Sequence, residues 1–124
     1  MAAHNELGKL GEEMAVAHLL QKGYAILQTN WTFQKAEVDI LAQKGDVLAV
    51  IEVKTRTSAN FGDPQDFVTP KKIQLLVKAV SAYVEQQNLA VDVRFDIIAI
   101  TLPKQENAKE KASLEHLEEA FYHF

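Results

Sequence analysis

Residues 37–54, EVDILAQKGDVLAVIEVK, decide how this chain folds. Two β-rich runs, EVDILAQ and VLAVIEVK, flank Lys44-Gly45-Asp46, a composition suited to a hairpin turn. In the second run Val47, Ala49, Ile51 and Val53 share one face, and Leu48 and Val50 share the other. A strand apolar on both faces belongs in a sheet covered on both sides. Asp39, Glu52 and Lys54 then need a reason to be there, because charged groups are rare in buried elements unless paired or functional.

The hairpin register sets what those charges can do, since side chains alternate across a strand. A two-residue Gly45-Asp46 loop places Lys44 opposite Val47, Asp39 opposite Glu52, and Glu37 opposite Lys54. A four-residue loop about the same centre preserves that register. Moving the loop to Lys44-Gly45 offsets the pair by two residues on the same face, whereas a three-residue loop separates them. In the first register the two carboxylates have Cβ atoms ~5 Å apart, with Lys54 two residues along the strand.

Working outward, Leu7, Leu10, Met14, Ala17 and Leu19 recur at helical spacing between Asn5 and about Lys22, and Gly23 supplies a stop. Tyr24–Leu27 is a short β-prone run that Trp31–Phe33 continues irregularly. Residues 55–68 form a long polar segment with Gly62 and Pro64, the kind of loop that often carries function. Thr69 is an N-cap and Pro70 a first helical residue, followed by an apolar stripe of Ile73, Leu76, Val77, Val80 and Val84. Val91–Thr101 reads as a strand ended by Pro103, and Leu114, Leu117 and Phe121 suggest a short docking helix in the tail. The expected fold is α/β, a mixed sheet with helices against it. We expect one domain over residues 1–124, with a core of about 5–101 and a docking tail of about 104–124.

The 124 residues are 48% hydrophobic, enough for one core, and include no Cys, which excludes disulfides and thiolate metal sites. No apolar run is long enough to span a bilayer and the opening residues lack a signal-peptide pattern, so a soluble cytoplasmic protein is expected. A formal charge of -4 argues against a protein that coats nucleic acid through a basic surface. The carboxylates concentrate in the tail, however, while the stretch 54–72 holds Lys54, Arg56, Lys71 and Lys72 against Asp63 and Asp66.

Two carboxylates on one face repel, and a divalent cation resolves the conflict. Magnesium takes one or two carboxylates and keeps waters and substrate phosphate oxygens, which suits Asp39 and Glu52; manganese is its natural substitute. Lys54 then stands where it can orient or deprotonate a water and offset charge developing on phosphorus. Glu-x-Lys alone is commonly a solvated pair; Asp39 on the shared face separates this one from that background. Glu12 shares a stripe with Val16 and Leu19, and Glu13 one with Ala17 and Leu20, so either can lean towards the sheet or lie on a solvated face. The four His form no HExxH arrangement or close ligand set and read as surface or tail residues. Gly-rich phosphate loops and nucleophile elbows are absent.

Taken in order, LGKLGEEMAVAHLLQKGYAIL, AEVDILAQKGDVLAVIEVKTR, FGDP, the Lys72 region, RFDIIAI and HLEEAF resemble the YraN family of small bacterial proteins over nearly the whole chain. That family is similar to Holliday-junction resolvases and other PD-(D/E)xK nucleases, which implies a restriction-endonuclease-like fold. The resemblance selects Glu12 as the helix carboxylate and makes Glu12, Asp39, Glu52 and Lys54 the catalytic set. It puts Asp39, Glu52, Val53 and Glu12 around the metal, and offers Arg56, Lys72 and Arg94 as phosphate contacts. Surface solvation is the plain reading of those last three. Ala36 departs from the family's Gly, and Thr32 from its frequent Arg.

Two functions follow. One is a magnesium-dependent endonuclease acting on branched or otherwise structured DNA; the other is a module that keeps the nuclease fold but binds nucleic acid or recruits a partner. A purely structural oligomerisation domain would not need this polar cluster. Action on a symmetric junction would favour a two-fold homodimer.

Overall fold

The computed structural model describes residues 2–57, 69–103 and 112–121, with side chains from Glu6 onward in the first helix. Helix α1 (Ala2–Gln21) leads into strands β1 (Ala25–Phe33), β2 (Ala36–Lys44) and β3 (Val47–Arg56); α2 (Pro70–Gln86), β4 (Asp92–Thr101) and β5 (Ser113–Leu117) follow. The strands form one sheet in the order β1-β2-β3-β4-β5. Only the β3–β4 pairing is parallel, so the chain must cross over between them, and α2 lies in that crossover. The expected α/β class and mixed sheet are found; of the polar segment 55–68, Thr55 and Arg56 extend β3, and residues 58–68 lie outside the described residues.

Each face of the sheet is covered by one helix. Ala15 and Leu19 of α1 pack on Ile40, Ala49, Ile51 and Ile98. Leu76, Val80 and Tyr83 of α2 pack on Leu41, Leu48, Val50 and Phe95. The α2 layer follows the sequence pattern closely: Thr69 accepts the Lys72 N–H and Pro70 opens the helix. In α1 the inward row is different from the one expected. Leu10 and Ala17 face outward, and the buried row is Gly11, Ala15 and Leu19 at four-residue spacing. The reason is steric, because small residues let the helix lie close on β3. A Cβ added to Gly11 would collide with the Thr55 side chain.

The tail also differs. Residues 113–117 form a strand, with Leu114 opposite Ile100 and Leu117 opposite Ile97, where the apolar spacing suggested a helix. The exposed edge of β4 decides the outcome, since its unpaired backbone groups gain a ladder that a docked helix could not supply. Phe121 still docks as expected, against Phe95 in the α2 layer.

Candidate functional site

The hairpin closes with Lys44 opposite Val47, and the ladder continues to Ile40 opposite Ile51. Gly45 sits at φ 59, the left-handed backbone such a two-residue turn requires. Asp39 and Glu52 are the next step in this register, and there the ladder ends. In its place the Asp39 carboxylate accepts the Val53 N–H at 2.8 Å. Strand β2 also changes face at this point: Val38 packs in the α2 layer, whereas Ile40 and Ala42, of the same parity, pack in the α1 layer. Across from Asp39 on β1, between the Thr29–Ile40 and Trp31–Val38 pairs, Asn30 takes a left-handed conformation at φ 49. The two irregularities together open the sheet where the charged residues lie.

Glu52 alternates with Leu48 and Val50 and is buried. Its carboxylate meets Lys72 Nζ from the first turn of α2, and Lys54 Nζ stands 3.7 Å away. The N-cap at Thr69 fixes where α2 begins, and so where Lys72 reaches the sheet. On the α1 side a cavity of about 1050 Å³ is bordered by Asp39, Glu12, Glu37, Asn30, Val53 and Lys54. Glu12 is held by Asn30 Nδ2, and Glu13, the other helix carboxylate considered, is the more exposed of the two.

Burial pushes the Asp39 carboxyl up, the neighbouring Glu52 charge adds to that, and Glu12 contributes further. The Val53 N–H and Lys72 oppose them, and the result is about 6. Asp39 therefore senses Glu52, Glu12 and Lys72 together, so the structure brings these residues into one electrostatic neighbourhood. Among the described residues no three His, Asp or Glu side chains close into a metal cage of their own. Oxygen donors suited to a hard cation are present: Asp39 borders the cavity, with solvent space there for waters or phosphate oxygens, and feels the charge of Glu52, which lies beside it, buried and paired with Lys72 outside the cavity lining. Asp39 and Glu52 are the residues that would hold magnesium, with Val53 beside them and Glu12 engaged by Asn30.

The three proposed phosphate contacts separate. Lys72 is engaged with Glu52, and Arg56 closes β3, its carbonyl accepting the Leu102 N–H. Arg94 is committed elsewhere: it donates to fully buried Asp96 and to Tyr24, at the opposite end of β3's parallel partner. Sequence reasoning overlooked Asn30 and Gly11, although a Gly immediately before Glu12 on an apolar row was a visible sign of close approach.

The histidines required correction as well. His116 is nearly buried, donates from Nε2 to the Asp96 carboxylate at 2.8 Å, and its Nδ1 lies 3.3 Å from His18 Nε2 on α1 in a ring-to-ring hydrogen bond. Burial lowers the His18 pKa, and His116 and Lys22 lower it further. For Asp96 burial acts upward, but hydrogen bonds from His116, Arg94 and the Glu119 N–H, with the Arg94 charge, bring the carboxyl below its ordinary value. Separated by 98 positions, the two rings gave no spacing signal in the sequence.

A five-stranded mixed sheet flanked by two helices, with a carboxylate–lysine cluster where its central ladder opens, defines an α/β protein of restriction-endonuclease-like architecture. Residues 11–100 match the sequence profile described as uncharacterised protein family UPF0102, and the chain belongs to that family. It is 58% identical to a UPF0102 protein of Flavobacterium psychrophilum over 124 residues, covering 100% of both chains. A UPF0102 protein of Christiangramia forsetii is 56% identical with the same coverage. One from Bacteroides fragilis is 43% identical, with 98% of this chain and 97% of that protein covered. Among the described residues no helix is long and apolar enough to cross a membrane.

Proposed function

We propose that this chain is a magnesium-dependent endonuclease that hydrolyses phosphodiesters in branched or otherwise structured DNA. The observation that carries the reading is the meeting of Asp39, Glu52 and Lys54 at the end of the β2–β3 ladder, where burial and the Glu52 charge hold Asp39 near 6. A perturbed carboxyl beside a specific charge partner in a cleft supports reading this place as a functional site. Magnesium held by Asp39 and Glu52 would polarise the scissile phosphate and make ionisation of a water accessible at neutral pH.

The protein's own groups do the rest. Asp39, fixed by the Val53 N–H, presents its other oxygen to the cavity without having to reorganise. Lys54 Nζ donates a hydrogen bond to a non-bridging phosphate oxygen, where negative charge grows as the water oxygen bonds to phosphorus, while the leaving oxygen takes the electron pair of the P–O bond that breaks and a proton from solvent. Glu12 and its Asn30 partner line the same cavity and orient the water that enters from the α1 side. Lys72 neutralises Glu52, and its ammonium would be available to a substrate phosphate if a cation took over that charge.

The test is cleavage by wild type, Lys54→Ala and Glu52→Gln on junctions, flaps, single strands and RNA, with magnesium, manganese or chelator. Lys54→Ala should lose ~100-fold or more in rate while still binding the metal, the scale of a lost electrostatic or acid–base contact. Glu52→Gln should lose metal binding and cleavage together. The Lys72–Glu52 ion pair favours one other reading, a metal-free binding module, because it already satisfies Glu52 without a cation. Highly purified wild type that cuts none of these substrates yet binds one in a salt-sensitive way would establish that second reading.

A further inference from the structure

Towards the opposite end of β2 from Asp39, a smaller cavity of about 340 Å³ is bordered by His18, Lys22, Tyr24, Lys44, His116 and Glu118. The geometry points to an oxyanion site here, for a phosphate group, with Lys22 and Lys44 as its counter-charges and His18 Nδ1 as its hydrogen-bond donor. Among the described residues neither lysine is in an ion pair with a carboxylate. The Lys44 ammonium rests over the Tyr24 ring, 5.5 Å from its centre, a contact that leaves its N–H donors for a ligand. Glu118, the carboxylate on this border, is drawn instead to Arg94 at 3.6 Å.

The two histidines make the site sensitive to protons. His116 Nε2 donates to the Asp96 carboxylate, so in the neutral pair His116 Nδ1 accepts and His18 Nε2 donates across the 3.3 Å between the rings. His18 Nδ1 then carries no proton and repels an oxyanion. One added proton reverses this wherever it settles. On His18 it makes Nδ1 a donor directly. On His116 it makes that ring donate to His18 Nε2, and His18 takes the tautomer with its own proton on Nδ1. Asp96 is completely buried and held by Arg94 and the Glu119 N–H, which fixes the inner end of the chain of hydrogen bonds.

The charges and titratable groups around His18 come from every neighbouring element: Lys22 after α1, Tyr24 before β1, Lys44 on β2, Arg94 and Asp96 on β4, His116 on β5 and Glu118 just beyond it. Arg94 offsets Asp96 and Glu118 offsets one lysine, which leaves one positive charge in excess while both rings are neutral. A proton on the histidine pair makes two, a match for a phosphate dianion. His18 registers these surroundings: burial lowers its pKa most, and His116 and Lys22 lower it further. An anion in the cavity removes that opposition, so binding takes up a proton and is tighter at lower pH.

The test is titration of the full-length protein with sulfate, a dianion at every pH used, followed by NMR of the histidine rings. Chelator keeps the Asp39 and Glu52 cluster out of the measurement, so the outcome stands apart from the nuclease proposal. Saturable binding should shift the His18 ring resonances and weaken by about tenfold from about pH 6 to about pH 8. Lys22→Gln and Lys44→Gln should each weaken it by about threefold or more, whereas Lys78→Gln on α2 should change nothing. His18→Gln should remove the pH dependence. Displacement of sulfate by a short 5′-phosphorylated DNA duplex, and not by its dephosphorylated form, would identify a nucleic-acid end as the source of the phosphate; displacement by inorganic phosphate alone would identify a free one. Sulfate that binds both lysine variants as tightly as wild type, binds equally at both pH values, or moves the rings no more than chloride does, overturns the assignment.

Discussion

Asp39→Asn should make the metal-free protein more stable at neutral pH, although it removes a residue at the heart of the candidate site. Burial and the Glu52 charge raise the folded-state pKa of Asp39 from 3.8 to about 6. A carboxyl whose pKa is raised on folding favours the folded state while it is protonated. Its contribution is thus fully present below the unfolded value and is lost as pH rises through the folded one. The loss falls between about pH 4 and pH 6 and amounts to about 3 kcal/mol from a shift of roughly two units. Asparagine keeps an oxygen for the Val53 N–H and carries no charge. It should therefore recover most of that energy, which for a chain of this length corresponds to a rise of roughly 10 °C in Tm. Thermal and urea denaturation of wild type and variant with chelator, followed from acid to mildly alkaline pH, measures the difference while titration of distant groups cancels. A variant no more stable than wild type at about pH 8, or a gap that persists unchanged below about pH 4, would refute the reasoning. Millimolar magnesium should then narrow the gap by stabilising wild type alone.

Asp96→Asn should have the opposite sign, costing roughly 3–5 kcal/mol in urea denaturation, because it leaves the Arg94 guanidinium without its buried counter-charge. Gly11→Ala should cost about 1–3 kcal/mol by overpacking α1 against Thr55, and Thr55→Ala in the double variant should restore part of it. Since Gly11 adjoins Glu12, the single variant should also displace Glu12 from Asn30, visible as a change in the Asn30 side-chain amide resonances.

The sequence by itself determined the hairpin and its burial, and the structure chose among the few registers the turn allowed. Runs apolar on both faces can lie only inside a covered sheet, and Gly45 at its left-handed backbone position places the turn at Gly45-Asp46 rather than one residue earlier. Helix α2 was equally legible, since Thr69, Pro70 and the apolar stripe are local signals. From these alone Asp39, Glu52 and Lys54 could be brought to one end of the central strands. Only the tertiary structure decided what depends on distant partners. The α1 face was set by how closely a helix can approach β3, so small residues won over larger apolar ones. The tail became a strand because β4 offered an open edge. Lys72 and Arg94, both read as cations for phosphate, met Glu52 and Asp96, because a buried carboxylate draws the nearest cation that the fold supplies. Two histidines without any common spacing became neighbours when β5 closed over α1, since side-chain proximity across 98 residues is a property of packing and leaves no periodicity for a sequence to display.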